Sequence, residues 1–173
     1  MRNLIAIWGI AGVVAIVGRA LWRLTPIAVE PIEAGQLEAF HWVSMIVWVL
    51  INAYAEGYRG FHKKYSPRTV ARAFYLVQNP TPLRVIFAPL FCMGLFGATR
   101  KVLITSYVVI ILVIGLVIWI RMMEQPWRGI IDAGVVIGLG LGLLSIIVYF
   151  MKGLINGGVP FDPCVPEQQP PTV

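Results

Sequence analysis

Between Val102 and Ile120 the chain runs for nineteen residues without a charged side chain. As an α-helix that run is roughly 28 Å long, close to the ~30 Å thickness of bilayer hydrocarbon. In water, a helix apolar on every side has to be buried on every side. The rest of the chain could not supply that cover. Hydrophobic residues make up 58% of the 173 and charged residues 13%, so the other segments have the same problem. Ordinary soluble domains and disordered tails are excluded on this ground. The expected class is all-α, a polytopic integral membrane helix bundle.

Four further apolar runs complete the expected domain, residues 1–152. Spans are predicted at about 4–24, 39–55, 85–99, 102–120 and 130–151. The first resembles a signal peptide in position, but Arg19 and Arg23 follow it directly and no small-residue cleavage site is evident, so it reads as a retained helix. Residues 25–36, with Pro26 and Pro31, read as a polar connector. The run at 85–99 contains Pro89, Gly94 and Gly97. It either crosses with a kink or turns back as a re-entrant hairpin, giving five or four spans; its charged ends favour the crossing. Residues 153–173, rich in Pro and Gly, read as a disordered tail.

The 56–84 segment sets the expected orientation. It holds Arg59, Lys63, Lys64, Arg68, Arg72 and Arg84 against one acid, Glu56. A basic loop belongs on the cytoplasmic side, which also places the N-terminus in the cytoplasm of a bacterial inner membrane. Within it, Ser66-Pro67 is a helix start, Arg68 and Arg72 fall on one face, and Val70, Phe74 and Val77 on another. That pattern predicts a short amphipathic helix on the membrane surface, with Lys63, Lys64, Arg68 and Arg72 on lipid headgroups. The formal net charge of +6 is assigned to lipids and topology, and nucleic acid is not expected as a partner.

Polar residues inside membrane spans are costly and therefore informative. Asn52, Glu56 and Arg59 follow helical spacing at the exit of the second span. They read either as a pocket or polar pathway, or as a Glu56–Arg59 pair within an aromatic belt, the commoner arrangement. Asp132 lies in the first turn of the last span, where the helix dipole favours an anion and Arg128 is near in sequence. Gly134, Gly138 and Gly142 form a ladder at four-residue spacing, a helix-packing signal for a partner in this chain or another. Ala11 and Ala15 are a weaker version, which suggests pairing the first and last spans. His41 and His62 lie 21 residues apart, about 30 Å along a continuous helix, too far to share a haem. Cys92 and Cys164 lack metal-ligand spacing and read as free thiols. No metal or other cofactor is expected.

No catalytic motif is present. The reading that fits best is a structural or accessory membrane component, packing with itself, as a homo-oligomer, or with a larger membrane complex. The first alternative is a small oligomeric transporter or channel with a polar path at Asn52, Glu56 and Asp132. The second is a membrane-embedded enzyme at the inner interface near Glu56, Arg59 and His62, an activity the residues do not favour.

Overall fold

The computed structural model describes residues 2–166. It is helical over most of that length, and no strand occurs among the described residues. The helices are α1 (Arg2–Glu33), α2 (Ala39–Asn52), a π-helical segment (Ala53–Tyr65), α3 (Ser66–Gln78), α4 (Pro82–Ile86), α5 (Ala88–Cys92), α6 (Arg100–Arg121) and α7 (Trp127–Asn156). Three helices are long and apolar enough to cross a membrane: Asn3–Glu33 with 31 residues, Arg100–Arg121 with 22 and Trp127–Asn156 with 30. The chain is a membrane protein by that measure.

α1 runs nine residues beyond the predicted span, through the segment expected to be a connector. Two prolines lie inside it, and each removes a main-chain donor. The Thr25 hydroxyl donates to Leu21 O at 2.7 Å, adding a side-chain bond just before Pro26. Membrane helices tolerate such prolines because neighbours and hydroxyl groups re-satisfy the backbone. Pro31 is buried, packed against Gly129 at the start of α7. Gln125 completes this joint, donating to Glu30 Oε2 at 2.8 Å and accepting from Gly129 N at 3.0 Å.

α2, the π segment and α3 form one uninterrupted rod from Ala39 to Gln78. Its start is fixed by a reciprocal cap in which Glu38 N donates to His41 Nδ1 at 3.2 Å. The rod runs parallel to α7. Trp48 lies at Gly134, Glu56 at Gly138, Phe61 at Gly142 and Phe74 at Gly153. α1 runs the other way, with Pro31 at Gly129 and Asn3 beside Leu154. α6 also runs opposite to α7: Thr99 N donates to Cys164 O at 2.9 Å, and Arg121 shares a cavity with Arg128. One end of the bundle therefore carries Asn3, Arg100 and Lys152. The opposite end carries Arg121, in the last turn of α6, and Arg128, in the first turn of α7, while Arg19 and Arg23 lie near the middle of α1.

Three expectations change. Residues 85–99 form no crossing helix. α4 and α5 have five residues each, and the chain turns back at Gly94 (φ +79°) and Gly97 (φ +58°), conformations that favour glycine. This hairpin enters and leaves at one end, seated on α1, where Gly9 lies against Cys92 and Ala88 and Gly12 against Pro89. α3 is not a surface helix either, because Ser66, Thr69, Val70, Arg72, Ala73 and Leu76 are all buried. Its apolar side joins a core built from Ala6, Ile10, Val13 and Val17 of α1, Cys92 of α5 and Ile146 of α7. Lastly, the predicted tail is bound as far as Val165. Pro163 O accepts from Arg72, Cys164 O accepts from Thr99, and Phe161 packs edge-on against Tyr149. Residues 167–173 lie outside the described residues.

Candidate functional site

The glycine ladder is an intramolecular seam. A Cβ on Gly134 would lie 2.6 Å from Trp48 Nε1, and one on Gly138 would lie 2.9 Å from Glu56 Oε2. At Gly134 the indole ring would have to move, and at Gly138 the Glu56 carboxylate would have to turn aside with its Cβ still at 3.2 Å, so glycine admits the closest approach of the rod. Gly142 is covered by the ring of Phe61. The partner face belongs to the rod. On α1, Ala11 and Ala15 are exposed, so the predicted small-residue pairing with the first span is not made. α1 reaches α7 through its larger apolar residues instead.

The change to π-helical winding determines which rod residues reach this seam. Ser66 N bonds to Phe61 O, five residues back. In that winding, residues four and five apart share a face. Asn52, Glu56, Gly57, Phe61 and His62 therefore meet α7, whereas Arg59 is exposed on another side. The step of four from Asn52 to Glu56 is kept, and the step of three that linked Glu56 to Arg59 in the sequence is lost.

Trp48, Asn52 and His62 of the rod bond to backbone or to side chains across the seam. Trp48 Nε1 donates to Ile131 O at 3.2 Å, and Asn52 Nδ2 donates to Trp48 O at 2.9 Å. Further along, His62 Nδ1 lies 3.2 Å from Ser145 Oγ, and Tyr149 Oη lies 3.5 Å from His62 Nε2. Tyr58 stacks on His62, and Tyr54 on Tyr58. The pairing of His62 with Ser145 crosses 83 residues, so no local motif announced it.

Asp132 does not join Asn52 and Glu56. It lies two residues before Gly134, on the opposite side of α7, in a cavity with Arg19, Arg23, Arg121 and Arg128. A single polar path through Asn52, Glu56 and Asp132 is therefore not assembled within the chain.

Of the four predicted headgroup residues, Lys63 and Lys64 are exposed and Arg68 is half-buried. Arg72 is the correction: it is fully buried at the centre of a cage of carbonyls. Its Nε donates to Phe91 O at 2.6 Å, Nη1 to Pro163 O at 3.0 Å, and Nη2 to Phe96 O at 2.8 Å and Gly97 O at 3.1 Å. The fork of the guanidinium suits several acceptors at once. It joins α3 to α5, to the turn at Gly94–Gly97 and to the C-terminal segment, and lipid has no access to it.

No group of three or more His, Cys, Asp or Glu side chains able to hold a metal is found among the described residues. The chain matches no protein-family model, no curated protein and no solved structure.

Proposed function

We propose that this protein is an accessory subunit of a membrane assembly and docks through the outer side of its π segment. One observation carries the proposal. Arg59, Lys63 and Lys64 are exposed at the depth where α7 presents an uncharged stretch, 133–151. Facing hydrocarbon, a charged side chain near mid-bilayer costs about 2.5–3.5 kcal/mol on insertion scales. Three of them on adjacent turns call for cover by protein or water.

In this reading the α2–π–α3 rod is a fourth crossing beside the three long helices. The end carrying Arg84, Arg100, Lys101 and Lys152 faces the cytoplasm under the positive-inside rule, and Asn3 with it. The opposite end has basic residues too, but also Glu30, Glu33, Glu38 and Glu124. Short connections and this charge bias suit a bacterial inner membrane.

A second reading rests on the same side chains. If several copies turned their π segments towards a common axis, the cationic faces would line an aqueous path.

The test is detergent extraction from the native membrane, then mass measurement of the intact particle, for wild type and for Arg59→Glu/Lys63→Glu/Lys64→Glu. The expected result is a particle larger than one chain, reduced to one chain in the triple variant with helicity unchanged. A wild-type single chain with both lysines open to water-soluble amine reagents would overturn the proposal. A homo-oligomer that conducts anions in vesicles would favour the aqueous path.

A further inference from the structure

A second polar centre lies apart from the seam. α1, α6 and α7 line a half-open cavity of ≈ 270 Å³ where the last turn of α6 and the first turn of α7 meet the second half of α1. Arg19 and Arg23 enter it from α1, Arg121 from the last turn of α6 and Arg128 from the first turn of α7. Asp132 is the one acid on its wall, so three formal positive charges are left over. Arg19, Arg23 and Arg121 are exposed and Arg128 is half-buried, so four like charges line one half-open cavity with a single acid among them.

Two details indicate what is wanted there. The Nε atom of Arg128 is sealed from solvent and has no hydrogen-bond partner. A buried donor in that condition has lost its water without gaining an acceptor, which is unfavourable, more so when the group is charged. The rest of the wall is apolar, with Val117 and Ile120 on α6 facing Leu24 and Ile27 on α1. The cavity thus combines guanidinium groups with hydrocarbon walls beside the C-terminal end of α6 and the N-terminal end of α7.

We propose that this cavity binds a phosphate-bearing anion, with the phosphodiester headgroup of an acidic phospholipid as its occupant. Guanidinium forks match phosphate oxygens and bond them in pairs. Basic pockets between transmembrane helices suit such headgroups. The apolar walls would take the start of an acyl chain along the α1–α6 groove, where free phosphate would gain nothing. α6 meets the bundle mainly at its two ends and is exposed along its middle, so a lipid there would also fill the space beside it.

The experiment is native mass spectrometry of the full chain, titrated with phosphatidylglycerol, cardiolipin or phosphatidylcholine. Wild type is compared with Arg23→Gln/Arg128→Gln and with Arg100→Gln/Lys101→Gln at the other end. The proposal expects retention of the two acidic lipids over phosphatidylcholine. It expects affinity to fall about tenfold or more in the cavity variant and to hold in the other. If the cavity variant fails to fold, Arg19→Gln/Arg23→Gln, both exposed, replaces it. A parallel arm follows the melting temperature in phosphatidylcholine nanodiscs with inorganic phosphate added. A phosphate-dependent rise that is lost in the cavity variant would keep the anion site but make the soluble ion its occupant. Equal losses in the cavity variant and in Arg100→Gln/Lys101→Gln, or no preference for acidic lipid in wild type, would overturn the proposal.

Discussion

Arg72 holds Phe91 twice. Its Nε donates to the Phe91 carbonyl at 2.6 Å, and its guanidinium carbon lies 4.1 Å from the centre of the Phe91 ring. The first contact is a charge-assisted hydrogen bond and the second a cation–π contact, desolvated and so at the stronger end of its range. With Phe96, Gly97 and Pro163 also accepting from it, one side chain closes the cytoplasmic end of the proposed topology.

Replacing Arg72 with Met should therefore leave four carbonyl acceptors without this donor. A loss of about 3–5 kcal/mol is expected, the range for breaking a buried charged network. Lys should not restore it, since a single ammonium cannot reproduce the fork. Thermal unfolding in detergent reads the first effect. Faster amide exchange at 157–166 in the variant reads the second, because the tail loses its anchor. An Arg72→Lys protein as stable as wild type would contradict this account of the cage.

Alanine substitution separates seam glycines from the others by sign. At Gly138 the new methyl would meet Glu56, so a loss of about 1–3 kcal/mol is expected from overpacking. At Gly140 nothing lies within 4 Å, and alanine should gain about 0.5–1 kcal/mol through helix propensity. Gly138→Leu should be worse than Gly138→Ala. Parallel melting curves of the three variants decide it, and equal shifts at positions 138 and 140 would remove the seam as the explanation.

Glu56→Gln keeps the shape that rests on Gly138. Helicity and elution volume are expected to match wild type. A variant that no longer assembles would make Glu56 a structural member of the seam.

The two thiols should differ in reactivity. Burial pushes the Cys164 thiol above its ordinary pKa, and the neighbouring Asp162 carboxylate adds to the shift. A raised pKa means less thiolate at a given pH, so alkylation at pH 7–8 should be slower than for a free cysteine. Asp162→Asn should speed it. Cys92, buried against α1, should react only after denaturation. Mass spectrometry after timed N-ethylmaleimide exposure follows both sites.

Composition and periodicity were sufficient for the helical class and for the long helices, since hydropathy over twenty residues depends on no partner. They were insufficient wherever a partner determined the outcome. Arg68 and Arg72 share a face, and a polar face reads as wet; that Arg72 meets carbonyls instead depends on residues 19 to 91 positions away. The stretch from Glu56 is polar enough to read as a loop, and nothing in the residue types of Ala53–Tyr65 announces π winding. That winding is what sends Glu56 to Gly138 and leaves Arg59 outside. Pro26 and Pro31 read as helix breakers because their lost hydrogen bonds are local, whereas the packing of Pro31 on Gly129 is not. The Gly134–Gly138–Gly142 spacing was visible; the identity of its partner was not.

The re-entrant turn has one further consequence. Ile5, from the start of the chain, and Val165, from its far end, pack on the same small cluster around Phe91. Tags fused before α1 and after the C-terminal segment should therefore report a single compartment, and opposite readings from the two would mean that the polypeptide enters its membrane along a different route.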